Sequence, residues 1–290
     1  MAQIEHILED FGVAYVGSEH KHGRVGWVQI DCPQCGAGTG KYHLGISLTT
    51  GAASCWRCGR QNTVSVLATA TGKPFAVVQR ALRGANLIAK PERVRGTLRL
   101  PTGIGAIGPA HRAYLAGRGF DPDEIERVWG VQGIGMVGRY RWRLFIPIHH
   151  QGRVVSWTTR SVQPHAKQRY VSAAAKDEAI PHKELLYGAD YARHAITIHE
   201  GPLDVWAVGK GAVATCGTGF TDYQLLAMAK YPVRVVCFDA GRAAQRRARE
   251  LADMLSVFPG TTHNVQLETG DDPAEADPAE IKELREAFLE

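Results

Sequence analysis

The chain has 290 residues, is 44% hydrophobic and carries a formal net charge of +5, which suits two or three globular domains and is compatible with a nucleic-acid partner without demanding one. No apolar run approaches the twenty or so residues that span a bilayer. Met1 to Asp10 lacks a charged start followed by an apolar core, so neither membrane nor secretion is expected, and the cytoplasm, where thiols stay reduced, is the expected compartment.

Ile4, Ile7, Leu8 and Phe11 share one helical face, and Gly12 ends that short helix. Cys32-Pro-Gln-Cys35 and Cys55-Trp-Arg-Cys58 follow, separated by nineteen residues. Two C-x2-C knuckles at this distance read as a ribbon closed by one structural Zn²⁺ on Cys32, Cys35, Cys55 and Cys58, because four soft thiolates complete a tetrahedral shell. Between the knuckles, alternation places Tyr42, Leu44 and Ile46 on one side of a strand and Lys41, His43 and Ser47 on the other. Lys41 and His43 on this face, with Trp56 in the second knuckle, could stack on bases and contact phosphates, and a plain solvated face fits the spacing equally well. Gly36-Ala-Gly-Thr-Gly40-Lys41-Tyr42 is not a P-loop: its spacing is one short, and Tyr42 stands where Ser or Thr would hold Mg²⁺.

Thr63 to Leu82 reads as helix, divided by Gly72-Lys-Pro74, and Gly84 to Pro109 has the composition of a linker that lets the first module move. His111 to Trp129 should form two short helices, the second started by Asp121 and Pro122. Arg139 to Ile148, a turn at Gln151-Gly152, and Val154 to Arg160 read as a hairpin. A period of two sets Arg139, Arg141 and Arg143 on one face, where guanidinium forks suit phosphate. Arg160, Lys167, Arg169 and Lys183 extend this basic character.

The last third carries the chemistry. Ile196-Thr-Ile-His-Glu200 and Val235-Val-Cys-Phe-Asp239 are apolar runs ending in acid, and Asp271 and Asp272 follow a third run, Asn264-Val-Gln-Leu267. Such runs read as strands of an α/β sheet, whose ligands bind beyond the strands' carboxyl ends. An Asp there often caps the next helix. Three such ends instead suggest a shared divalent cation, Mg²⁺ or Mn²⁺, on Glu200, Asp239, Asp271 and Asp272. Cys216 and Cys237 are expected as small buried hydrophobes.

Several motifs together resemble DnaG-type primases, the all-cysteine ribbon being closest to the phage forms. Tyr114-Leu-Ala-Gly-Arg118-Gly119 is similar to that family's YLxxRG, and Arg143-Leu-Phe-Ile-Pro-Ile148 to its hairpin. Arg169-Tyr170 is similar to part of its PKYLNSP segment, and His182-Lys183 with Leu186-Tyr187-Gly188 to its HKxxxLYG. Glu200-Gly201 and Asp239 are similar to its TOPRIM motifs. The resemblance implies a TOPRIM-type α/β sheet (193–290, ending in a helical tail), an α+β basic N-terminal subdomain (109–192), a linker (85–108) and a small zinc-ribbon β domain (1–84). It also implies a DNA-directed RNA polymerase making short primers on single-stranded DNA from ribonucleoside triphosphates. Glu200, Asp204 and Asp239 would be its catalytic acids, and Arg139, Arg141, Arg143, Arg160, Lys167, Arg169 and Lys183 its nucleotide and template contacts. Lys41, His43 and Trp56 of the zinc module would be its readers of a short template sequence, and a replicative helicase a possible partner in trans. One departure stands out: in the family's D-x-D-x-x-G the second Asp is Gly241 here and the Gly is Ala244. A catalytically weak single-stranded-DNA-binding protein, or a TOPRIM nuclease or recombination factor, remain the alternatives.

Overall fold

The computed structural model describes residues 3–21, 23–84, 96–217 and 219–290. The first module opens with helix α1 (Gln3–Asp10) and continues into a meander of five short strands, β1 (Tyr15–Val16), β2 (Trp27–Ile30), β3 (Leu44–Ser47), β4 (Ala53–Cys55) and β5 (Gly59–Gln61), antiparallel and in that spatial order. Helices α2 (Thr63–Thr71) and α3 (Phe75–Gly84) pack beside it. Asn62 caps α2 by accepting from the Ser65 N–H at 2.8 Å, and Gly72 ends it at φ 66°, a conformation that costs glycine nothing.

The strand expected from Lys41 onward starts only at Leu44. Asp31 accepts from the N–H groups of Gly40 (2.8 Å) and Tyr42 (2.9 Å), which bends 39–43 into a loop with Tyr42 at φ 50°. His43 and Ser47, expected on a wet face, are buried. Ser47 Oγ instead accepts from the Thr49 and Thr50 N–H groups and closes the next turn.

The middle unit is an antiparallel sheet ordered β10-β9-β8-β7-β6, made of β6 (Ile104–Gly105), β7 (Gln132–Ile134), β8 (Arg143–His150), β9 (Arg153–Ser161) and β10 (Tyr170–Ser172). Helices α4 (Pro109–Ala116) and α5 (Pro122–Trp129) join its first two strands, Asp121 capping α5 through the Asp123 N–H at 3.0 Å. The expected linker falls partly on 85–95, outside the described residues, and its far end is not a linker. Ile104–Gly105 pairs with β7, and the Arg99 carbonyl accepts from the Trp157 indole N–H at 2.9 Å. The hairpin forms as expected, with Gln151 (φ 53°) and Gly152 (φ 75°) making a two-residue turn whose N–H groups are both held by the Asp190 carboxylate. Its first strand is shorter than expected. Trp142 sits at φ 57° and breaks the period of two, so Arg139 and Arg141 lie on the preceding loop rather than in line with Arg143 on a sheet face.

The last third is a parallel sheet ordered β12-β11-β13-β14, built from β11 (Ala195–His199), β12 (Ala212–Ala214), β13 (Val233–Val236) and β14 (Thr261–Asn264). Helices α6 (Pro202–Val208), α7 (Asp222–Ala229), α8 (Arg242–Leu255) and α9 (Pro278–Phe288) cover it. The third expected strand, 264–267, is displaced: β14 ends at Asn264, where the apolar run was expected to begin. Cys237 is buried as expected, whereas Cys216 is only half-buried. Among the described residues, no helix is long and apolar enough to cross a membrane.

One apolar core joins the middle and parallel sheets, with Leu144, Ile146 and Ile148 of β8 in the same cluster as Val205, Trp206, Ala212 and Val235. The polar tips inside it are paired, the Trp206 indole N–H donating to the Tyr187 hydroxyl at 2.7 Å. Each fully buried aliphatic chain contributes about 1.5–3 kcal/mol. The cleft between the two sheets is therefore walled by elements that cannot slide independently.

Candidate active site

β11 and β13 are parallel neighbours, Ile198 opposite Val236, so the residues just past both strands emerge at one edge. Their ends are pinned by buried polar groups. His199 is fully buried between the Cys237 carbonyl (2.9 Å from Nδ1) and the Thr197 hydroxyl (2.9 Å from Nε2). A carbonyl only accepts, so Nδ1 carries the proton, and burial holds the imidazole neutral by bringing its pKa down to about 4. Gln245 of α8 donates its amide to the carbonyls of Phe238 and Asp239, both at 3.0 Å, and the Asp271 carbonyl accepts from the Ala240 N–H at 2.7 Å.

Glu200, Asp204, Asp239 and Asp272 line one cleft of about 400 Å³. Asp271 is exposed and outside its lining, so of the expected pair Asp272 faces the site. Burial, then the charges of Asp239 and Asp272, pushes Glu200 up to about 7. Burial and then Asp272 push Asp239 up to about 6, and Asp204 is held well above the carboxylate range by burial and the same neighbours. Asp204 also accepts from the Gly201 N–H at 2.9 Å and so anchors the start of α6. Glu200 Oε1 and Asp272 Oδ1 are buried without a hydrogen-bond partner. Repelling carboxylates with orphaned oxygens suit a hard divalent cation, which takes oxygen donors. The oxygens do not already converge: among the described residues, only the cysteine set forms a group of three or more donors all within 4.8 Å of one another.

That set is Cys32, Cys35, Cys55 and Cys58, all with free thiols. Burial alone would raise the Cys32 thiol, but N–H groups of Gln34 and Cys35 and the Gln61 amide outweigh it and bring it down to about 7. N–H donors aimed at sulfur favour thiolate, the form a metal takes. The four residues can hold one metal ion.

Basic groups face the acids across the cleft. Arg160 donates from Nε to the Tyr114 hydroxyl at 2.9 Å, and its guanidinium lies 4.7 Å from the Tyr170 ring centroid, which fixes its direction. Arg118 and Arg169 also line the cleft, and Arg118 reaches Glu275 at 3.3 Å. Arg139, Arg141, Arg143 and Lys167 line a second, shallower groove of about 450 Å³. Arg143 is partly committed, donating to the carbonyls of Gln168 (2.7 Å) and Arg169 (3.2 Å).

Lys183 departs from expectation. Its ammonium donates to the carbonyls of Thr215 (3.1 Å), Cys216 (3.0 Å) and Gly219 (3.1 Å), which uses its three protons to hold a loop rather than a ligand. Lys183→Met should therefore lower stability, on the order of 2 kcal/mol. It should leave single-stranded DNA affinity unchanged, a pair of outcomes that thermal melting and fluorescence anisotropy check together. In the first module Lys41 is exposed on its loop, Trp56 is 71% exposed, and His43 lies under it, ring centroids 4.5 Å apart. Thr158, Ser172, Arg118 and Glu275 line the cleft without having been singled out as site residues. Of these, only Arg118 had a signal, inside Tyr114-Leu-Ala-Gly-Arg118-Gly119.

A parallel sheet with acids beyond adjacent strands, joined to an antiparallel basic sheet and preceded by a cysteine ribbon, defines the class. Residues 197–277 match the Toprim-like family. No curated protein matches the chain in sequence. Among solved structures, a DnaG primase catalytic domain bound to single-stranded DNA is similar over 62% of this chain and 71% of that one, with a TM-score of 0.51 and 22% identity. The RNA polymerase domain of Mycobacterium tuberculosis DnaG primase is similar over 62% and 77%, with a TM-score of 0.51 and 20% identity. The zinc-binding and RNA polymerase domains of the Aquifex aeolicus primase are similar over 99% of this chain and 83% of that one, with a TM-score of 0.52 and 16% identity. The chain thus contains a Toprim-like domain set in the fold of a DnaG-type primase.

Proposed function

We propose that the chain is a DNA primase, a nucleotidyltransferase that builds short RNA on a single-stranded DNA template. The observation that carries this reading is the cleft itself, where Glu200, Asp239 and Asp272, two of them with unpartnered buried oxygens, face Arg160 and Arg169. Glu200, Asp239 and Asp272 would hold Mg²⁺ or Mn²⁺, which supplies charge neutralisation for attacking and leaving oxygens. Cys32, Cys35, Cys55 and Cys58 would hold Zn²⁺ as a structural ion.

The chain's own residues do the rest. Arg160 and Arg169 bind the triphosphate of the incoming nucleotide and spread its charge, and Arg160 is already oriented by Tyr114 and Tyr170. The 3′-oxygen of the growing strand bonds to the α-phosphorus as the bond from that phosphorus to the bridging oxygen breaks, and pyrophosphate leaves. Glu200, whose Oε1 is buried and unpartnered, would serve either as a ligand of the cation or as the base that takes the hydroxyl proton, and in the first case that proton goes to solvent. Arg139, Arg141 and Lys167 on the outer groove take template phosphates.

Incubation with single-stranded DNA, four ribonucleotides and Mg²⁺ or Mn²⁺ should give short RNA; its absence over a random template library would remove the assignment. Gly241 favours one rival, a DNA-binding protein that does no chemistry, because one motif carboxylate is missing. That rival expects template binding without synthesis. Gly241 caps α8 at φ −58°, and a Cβ there would meet nothing within 4 Å, so Asp is accommodated without strain. Gly241→Asp should lower the Mg²⁺ concentration for half-maximal synthesis several-fold. An unchanged metal dependence would mean a cleft built for fewer carboxylates.

A further inference from the structure

α8 places its charges against its own dipole. The N-terminal turns of a helix carry positive potential and favour acids. α8 opens instead with Arg242 and continues with Arg246 and Arg247, without an acid in its first turn. Arg242, Arg246 and Arg249 have the i, i+4, i+7 spacing of one helical face, and all are exposed. Ala248, Leu251 and Leu255 are buried in the core, so the helix cannot turn that face elsewhere. Arg247 pairs with Glu250 at 3.6 Å, but among the described residues Arg242, Arg246 and Arg249 have no ion pair. Like charges at this spacing repel one another as well as the dipole. Glu250 and Asp253, one turn on from Arg246 and Arg249, offset this only toward the far end of the stripe, leaving Arg242 at the helix start without an acid in its own turn.

The stripe also has a direction. Arg242 follows Asp239 by three residues and so stands near the acid cleft. Arg246 and Arg249 form one wall of a groove of about 790 Å³ whose other wall is Cys58, Gly59, Gln61 and Asn62, at the cysteine knuckle. Glu250 and Asp253 lie further along the same groove. Seven residues of helix cover about 10 Å, room for more than one backbone phosphate. Guanidinium forks match phosphate oxygens. In the same knuckle Trp56 is 71% exposed, a ring on which an unstacked base can lie and which a duplex could not use.

We infer that the Arg242–Arg246–Arg249 face of α8, with the facing cysteine knuckle, binds the sugar-phosphate backbone of single-stranded DNA on its way between the acid cleft and the metal ribbon. The inference rests on the proposed function only in placing DNA at the cleft.

The test is fluorescence anisotropy of labelled dT20 with the full, metal-loaded chain and no nucleotides. R246A/R249A should bind roughly tenfold more weakly, and its log–log salt slope should fall by about 1.4, near 0.7 for each phosphate no longer neutralised. Both side chains are exposed, and an unchanged melting temperature confirms that the fold is kept. Equal affinity and slope for wild type and variant would overturn the inference, as would an equal loss on a 20-base-pair duplex, which would mark a general polyanion surface. A wild type that makes no RNA would refute the polymerase reading and leave this comparison readable. Unaltered dT20 binding by R246A/R249A, with synthesis intact, would refute the track alone.

Discussion

Asp239→Asn should reduce RNA synthesis roughly a thousandfold or more while making the metal-free protein more stable, not less. The two effects have one cause. Asp239 keeps its shape as Asn but loses the charge that repels Glu200 and Asp272, and that a cation would need. Burial and these neighbours raise Glu200 from its ordinary value of 4.5 to about 7, and Asp239 from 3.8 to about 6. A carboxyl with a higher pKa in the folded state binds its proton more tightly there. The metal-free protein therefore loses stability as pH climbs from near 4 through 7, and is most stable where the acids are protonated in both states. Asn removes part of that slope. Because the cleft is partly solvated, the gain at pH 7.5 is about 1 kcal/mol, a few degrees in Tm at most. Mg²⁺ should raise the wild-type Tm more at pH 8 than at pH 5, and the Asn variant's much less. A variant that loses synthesis and stability together would show Asp239 to be a structural residue.

Glu200 and Asp239 were legible because each follows a β-branched run, and a parallel sheet has only one edge at which such ends gather. Asp272 comes instead from a loop well beyond the end of β14. The knuckles were legible because C-x2-C spacing is local chemistry. What sequence periodicity missed is what depends on distant partners. Lys183 reads as a free cation until Thr215, Cys216 and Gly219, more than thirty residues on, are seen around its ammonium. Gln245 reads as one more polar residue on α8, yet it sets the carbonyls on which Asp239 stands. Arg139 and Arg141 alternate in sequence, but Trp142 at φ 57° cancels the alternation just before the strand begins. His43 alternates too, and an Asp31 that gathers loop N–H groups removes it from the wet face. A period describes a strand only after something else has decided where the strand starts.

Removing a metal ion held by the cysteine set should unfold the first module and weaken the parallel sheet that shares its buried cluster, the largest stability change expected for this protein. Its strands are two to four residues long, too short to hold a sheet without a staple. A structural Zn²⁺ in such a setting contributes on the order of 10 kcal/mol of apparent folding energy. Cys55 is 1% exposed, so Cys55→Ser removes a thiolate where no water can replace it. The variant should bind less than one equivalent of metal and show a new low-temperature transition, with Trp56 fluorescence shifting as its ring separates from that of His43. The middle and parallel sheets keep their shared core. Ile196, Ile198 and Leu251 on the other side of the parallel sheet, however, belong to the same buried cluster as Ile30, Leu44 and Leu67 of the first module, so their own transition should also move down. Chelation with a thiol-directed displacer should reproduce this, and Mg²⁺ added back should not reverse it, because hard cations do not replace soft ones on four sulfurs. Dinucleotide formation at high ribonucleotide concentration should survive in the stripped protein, while synthesis on limiting template falls. Loss of both would place the cysteine module inside the catalytic unit, and loss of neither would leave it without a part in the reaction.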